Sequence, residues 1–283
     1  MRALVVACGT LVGTLACDSG SREHAVTSVA PSALASAVAP AARSSAASKQ
    51  VAPANLPALA GAAVVRLPVE GFGETVVAAP VGATSPRPIL VALHGEGGDA
   101  DAECVAWRSI SAQPFVLCPR GSDEKDAKKQ APHQGFADAA AAEKELKAAL
   151  TALKKRFGAH VAGEPVMIAG TALGAVQAVA LLRQAPRFFS RVVLARGGAN
   201  AWSGGVSVWF AQGGGKRVLF ACADAACRDD AQRHVSSIRS GGADARVAWA
   251  EAGTRDVTLR LADAIRKEWT WLTEDDARWA APP

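Results

Sequence analysis

From residue 63 onward the chain alternates short uncharged apolar runs with longer stretches of helical periodicity. Residues 63–69 and 74–80 are two β-branched runs separated by Glu70-Gly71-Phe72-Gly73, which predicts an antiparallel hairpin. Residues 88–93, 115–118 and 166–169 carry no charge, as strands buried on both faces of a parallel sheet require. Residues 191–194, 217–221 and 245–249 read as further strands. Between them, residues 137–157 place Leu146, Leu150, Leu153 and Phe157 at helical spacing, and Gly158 stops the helix. Residues 173–184, 229–240 and 257–271 are also helical in pattern, with a charged loop at 122–129. Strands alternating with helices predict an α/β fold, a doubly wound and mainly parallel sheet with an antiparallel hairpin at its start.

Before residue 61 the pattern is different. Arg2 followed by an uncharged run to Ala16 has the form of a signal peptide and is too short to span a bilayer. Thr14-Leu15-Ala16-Cys17 resembles the bacterial lipobox, departing from it at Thr14, and marks Cys17 as the expected lipidation site. Residues 18–60 are Ala/Ser/Pro-rich and offer little periodic face to bury, so a disordered tether is expected there and a single domain over 61–279. The expected location is therefore exported: lipid-anchored at the cell envelope, or periplasmic or secreted.

Cysteine usage agrees with export. Beyond the leader stand Cys104, Cys118, Cys222 and Cys227, an even number whose proximity in sequence predicts the pairs Cys104–Cys118 and Cys222–Cys227. No tight Cys spacing with neighbouring His supports a metal site, so no metal is expected. The net charge of +5 over 283 residues is not gathered into a basic stripe, which argues against nucleic acid as a partner. A lipid anchor is the membrane contact expected.

The chemistry concentrates at two glycine-rich turns. Gly170-Thr171-Ala172-Leu173-Gly174 joins a buried strand to a helix, and two glycines four apart let those elements approach closely. There is no Gly-Lys-Ser/Thr for a phosphate loop and no third glycine at dinucleotide-binding spacing, so no cofactor is expected. The second turn, His94-Gly95-Glu96-Gly97-Gly98, follows the strand at 88–93.

In this order, the two turns resemble the oxyanion loop and the nucleophile elbow of α/β-hydrolase-fold proteins of the dienelactone hydrolase, esterase and small peptidase type, over essentially the whole of 61–279. The resemblance implies an oxyanion hole built from backbone N–H groups near His94, Gly95 and Glu96 and at Leu173. It also places the nucleophile at Ala172, the triad acid at Asp224 and the histidine at Arg255. Alanine cannot attack a carbonyl and arginine cannot relay a proton at working pH, so the triad is degenerate. His234 falls within the helix predicted over 229–240, before the last strand, and reads as a solvated or packing residue.

Two consequences remain open for such a site: an anion held by the remaining N–H donors, or a salt bridge between Asp224 and Arg255 that closes it. The function expected is binding or interaction at the cell envelope, with an unknown small molecule or an envelope protein as partner. The alternative is a working carboxylesterase or peptidase-like hydrolase with a non-standard site. For the leader, palmitate labelling is expected of the wild-type chain and is expected to disappear in Cys17→Ala.

Overall fold

The computed structural model describes residues 55–124, 133–136, 138–251 and 257–279. The chain opens with β1 (Val64–Val69) and β2 (Gly73–Ala78), the expected hairpin, paired antiparallel from Val64 opposite Ala78 to Val69 opposite Gly73. There follow β3 (Ile89–Leu93), α1 (Ala100–Ile110) and β4 (Phe115–Cys118). The short strands β5 (Ser122–Glu124) and β6 (His133–Gly135) form a separate antiparallel pair. Part of the stretch read from its charge as a loop is thus extended and paired. Next come α2 (Ala139–Phe157), β7 (Val166–Thr171), α3 (Leu173–Gln184), β8 (Phe189–Ala195) and α4 (Gly204–Gln212). The described chain continues through β9 (Arg217–Cys222), α5 (Ala225–Ser240), β10 (Asp244–Trp249) and α6 (Val257–Thr273).

The sheet has eight strands in the order β1-β2-β4-β3-β7-β8-β9-β10. From β4 to β10 every pairing is parallel, and β2 joins β4 antiparallel. This is the doubly wound, mainly parallel sheet that the uncharged runs predict. All five residues of β3 are buried, and their side chains alternate between two cores as the pleat demands. Ile89, Val91 and Leu93 belong to the core containing Leu146, Leu153, Val179, Leu182, Val206 and Ile238, from α2, α3, α4 and α5. Leu90 and Ala92 face the other core, with Trp107 and Ile110 of α1 and Leu261, Ile265 and Leu272 of α6.

Local chemistry sets the helix ends. The Asp138 carboxylate accepts from Ala141 N at 2.7 Å and caps α2, whose last turn carries Lys154, Lys155 and Arg156 against the negative end of its dipole. Gly158 stops α2 with φ 54°. Both expected cysteine pairs are bonded: Cys104–Cys118 ties α1 to β4, and Cys222–Cys227 ties β9 to the first turn of α5. Disulfides fit an oxidising compartment. Among the described residues no helix is long and apolar enough to cross a membrane.

Residues 56–59, assigned to the tether by composition, are hydrogen-bonded to the turn after β2: Leu56 N donates to Thr84 O, Leu59 N to Ala83 O, and Gly82 N to Leu59 O, at 2.8–2.9 Å. Leu59 is buried in the core, and His160 Nε2 lies 2.8 Å from Pro57 O. Two leucines in an otherwise small-residue stretch are enough to add this segment to the domain. Cys17 and the rest of the leader lie outside the described residues.

The largest fully buried side chain is charged. Arg191 of β8 is 1% exposed, donates from Nε to Leu272 O at 2.7 Å, and pairs with Asp275 and Asp276 beyond α6. Desolvation pushes both carboxyls up, but Arg191 and neighbouring bases outweigh it and hold both below the ordinary range: Lys216 and Arg217 for Asp275, and Arg278 for Asp276. A depressed folded-state value means stability that is present above the unfolded value of ~3.9 and is lost as pH falls through the folded one. Arg191→Met is therefore expected to cost about 3–5 kcal/mol by urea denaturation at pH 7, and this deficit is expected to shrink as pH falls below the unfolded carboxyl value of ~3.9 and the two carboxylates protonate.

Candidate active site

The strand-to-helix turn is built as the two glycines require. A Cβ on Gly170 would lie 2.3 Å from Gly174 O, and one on Gly174 would lie 2.1 Å from Leu93 O and 2.5 Å from His94 O. Neither position admits a side chain, because the obstruction is backbone. The end of β3 and the start of α3 are thus pressed together, main chain against main chain.

At the tip of this turn Ala172 has φ 52° and ψ −115° and is exposed. A non-glycine residue in that conformation carries strain of about 1–3 kcal/mol and persists only where its surroundings enforce it. Here Ala172 N donates to Ala195 O at 2.8 Å, and Ala172 O accepts from Ala175 N at 3.1 Å. The tips of the next strands are chained in the same way, Arg196 N to Ala221 O at 2.9 Å and Ala250 N to Cys222 O at 2.8 Å.

Gly95 faces the tip: a Cβ there would sit 3.2 Å from Thr171 O, 3.3 Å from the Ala172 Cβ and 3.8 Å from Leu173 N. Leu173 opens α3 and is 44% exposed, so its N–H stands at the positive end of a twelve-residue helix beside an exposed alanine methyl. Glu96 is exposed. His94 is not part of this open face. It is 2% exposed, with Nδ1 2.8 Å from Gly95 O, Nε2 3.0 Å from Arg120 O and its ring 5.5 Å from that of Phe136. Its side chain braces the loop from beneath.

Two carboxylates that the sequence analysis passes over complete this layer. Glu145 of α2 is 3% exposed and accepts from Arg120 N at 3.0 Å and Gly121 N at 3.1 Å, anchoring the segment to which His94 also bonds. Burial pushes its carboxyl up, against the pull of the Gly121 and Arg120 bonds and of the His94 charge. Glu103 of α1 accepts through Oε1 from Trp107 Nε1 at 2.8 Å and from Thr171 Oγ1 at 2.7 Å. Burial raises it too, opposed by the Thr171 and Trp107 bonds. The signal was present for Glu145, a charged residue in register with the apolar stripe of Leu146, Leu150 and Leu153. Thr171, one residue before the tip, thus has a carboxylate within reach.

Of the remaining expected positions, Asp224 and His234 lie within the described residues. Asp224 follows β9, as the order of elements requires, but it is exposed and caps α5, accepting from Cys227 N at 2.9 Å. His234 is half-buried on α5; desolvation and Arg233 hold it below the ordinary range, against a backbone bond at Ala199 and the charge of Asp230. It is a packing residue. Arg255 lies outside the described residues, and with it the expected bridge to Asp224. Among the described residues no cluster of His, Cys, Asp or Glu could hold a metal ion.

Strand order, elbow and facing loop together define the α/β-hydrolase fold, and this chain has it. Solved structures carry the same fold. One is a dienelactone hydrolase from Anabaena variabilis, at 13% identity and a TM-score of 0.53 over 75% of this chain and 96% of that one. Another is a fluorophosphonate-binding serine hydrolase from Staphylococcus aureus, at 11% identity and 0.51 over 74% and 96%. Est1E from Butyrivibrio proteoclasticus aligns at 10% identity and 0.53 over 75% and 100%. No family model and no curated protein matches the sequence. At these identities the likeness establishes the fold, and the chemistry rests on this chain's own residues. Ala172→Gly is expected to raise stability by about 0.5–1.5 kcal/mol in chemical denaturation, since glycine adopts a positive φ without the Cβ penalty.

Proposed function

We propose that this is an exported α/β-hydrolase-fold protein that has given up serine-hydrolase chemistry and acts by binding at the cell envelope. The observation that carries the reading is Ala172, an exposed methyl at the tip of an elbow whose strained backbone is otherwise retained. A carbonyl group resting there meets the Leu173 N–H and the Gly95 loop but no atom able to attack it. Asp224, committed to capping α5, supports the same reading. The open face takes a small molecule with an oxygen acceptor or a surface loop of an envelope protein, and Cys17 supplies the anchor.

A second reading is favoured by one contact. Thr171 Oγ1 donates to Glu103 Oε1 at 2.7 Å, and a hydroxyl bonded to a desolvated carboxylate is the arrangement that activates a nucleophile. Against it, the same Glu103 oxygen also accepts from Trp107, which gives the pair a structural role in fixing α1 to the elbow. A fluorophosphonate probe and an activated acetyl ester separate the two. The wild-type chain is expected to show neither labelling nor turnover above background. Labelling that is abolished in Thr171→Val and in Glu103→Gln would establish the hydrolase with a shifted nucleophile.

A further inference from the structure

The buried ring of His94 has more acceptors around it than its neutral form has protons. Nδ1 lies 2.8 Å from Gly95 O and Nε2 lies 3.0 Å from Arg120 O, and the residue is 2% exposed. Both neighbours are carbonyl oxygens, which only accept. A neutral imidazole carries one N–H and one lone pair, so it satisfies one of these oxygens and turns a lone pair on the other. Only the imidazolium, with a proton on each nitrogen, makes both bonds at once. The turn is closed around the Gly95 side of this contact: a Cβ on Gly98 would lie 2.8 Å from Gly95 O and 3.1 Å from His94 Nδ1.

The groups packed around the ring favour the second proton. Glu103 of α1 and Glu145 of α2 both lie within reach of its charge. Burial raises each carboxyl, while its hydrogen bonds and the His94 charge pull it back, so the imidazolium is a counter-charge that the two buried carboxylates share. The segment after β4 brings Arg120, a like charge that opposes the proton, but its contact with the ring is through the carbonyl. Phe136 offers an uncharged ring at 5.5 Å, and Glu96, on the same loop, is exposed.

We propose that His94 is a proton-operated positioning residue: doubly protonated, it bonds the Gly95 and Arg120 carbonyls together and holds the Gly95 loop at its spacing from Ala172, and with one proton lost it releases the Gly95 carbonyl and the loop relaxes. The Gly95 bond is the one given up because Gly95 O also accepts from Gly98 N at 2.9 Å and is not left unpaired. A lone pair on Nδ1 then stands 2.8 Å from that oxygen and repels it. Movement towards the tip is blocked, since a Cβ on Gly95 would already lie 3.2 Å from Thr171 O and 3.3 Å from the Ala172 Cβ, so the loop yields outward. The open face is thereby set in mildly acidic surroundings and slackened in alkaline ones. This control rests on the reading of that face as a binding site, whereas the protons on the ring are measurable with no ligand present.

The test uses the full chain carrying Cys17→Ser, isotope-labelled at its histidine ring nitrogens for NMR. At about pH 6 both His94 nitrogens are expected to resonate as protonated, and raising the pH to about 8 is expected to leave a lone pair on one of them. The His94 signals are those lost in His94→Gln or, should that variant not fold, those that remain when His24, His133, His160 and His234 are each replaced by Gln. By thermal denaturation the wild-type Tm is expected to exceed that of His94→Gln by about 3–6 °C more at pH 6 than at pH 8. The sign follows from linkage: a bond that needs the second proton is fully present below the titration of the ring and is lost as pH rises through it. His160 and His234 titrate in both chains and cancel in that difference. A ring already neutral at about pH 6, a ring still doubly protonated at about pH 9, or a Tm difference that does not change with pH would overturn the proposal, whatever the fluorophosphonate probe shows at the elbow.

Discussion

Everything at the carboxyl end of the sheet depends on one contact between main chains. Gly174 at the start of α3 lies against the carbonyls of Leu93 and His94 with no room for a single carbon between them. That approach locks β3, β7 and α3 into one rigid corner, positions Gly95 opposite Ala172, and forces the positive φ at the tip. It requires glycine at two positions and places no demand on the residue between them. The elbow therefore survives when the tip residue is an alanine: its geometry is a property of the packing around it and owes nothing to a nucleophile.

Beneath that corner, polar groups take the place of further hydrophobic packing. Glu145 and His94 hold the segment after β4 from two sides, and Glu103 draws Thr171 and Trp107 onto a single oxygen. Buried carboxylates are costly, as their raised affinity for protons shows, and they persist because each satisfies two donors that would otherwise be unpaired. At the other end Arg191 does the equivalent work, tying the residues after α6 to the middle of the sheet. The sheet is thus pinned by charge at both ends and filled by aliphatic side chains between.

The strands of the main sheet and the two glycine turns were legible because burial on both faces keeps the middle of a central parallel strand apolar, Arg191 near the start of β8 being charged, and because backbone contact admits only glycine. Helices α1 and α4 were not. In α1 the buried positions Cys104, Trp107 and Ile110 are interrupted by Glu103 and Arg108, which are partly buried for polar reasons of their own. In α4 the opening Gly204-Gly205 and the exposed Val208 and Trp209 blur the contrast between faces on which periodicity depends. Asp224 shows the limit for the site: an aspartate after β9 reads equally as a triad acid or as a helix cap, and the bond it accepts from Cys227 N is the cap role.

The docking of residues 56–59 has a mechanical meaning. Tension applied to the chain ahead of residue 56 would fall first on the hydrogen bonds of Leu56 and Leu59 to the turn after β2, and on the seating of the Leu59 side chain. The load would meet this patch before it met β1, and the elbow corner lies at the far end of the central strands, so Ala172 and Gly95 would keep their spacing.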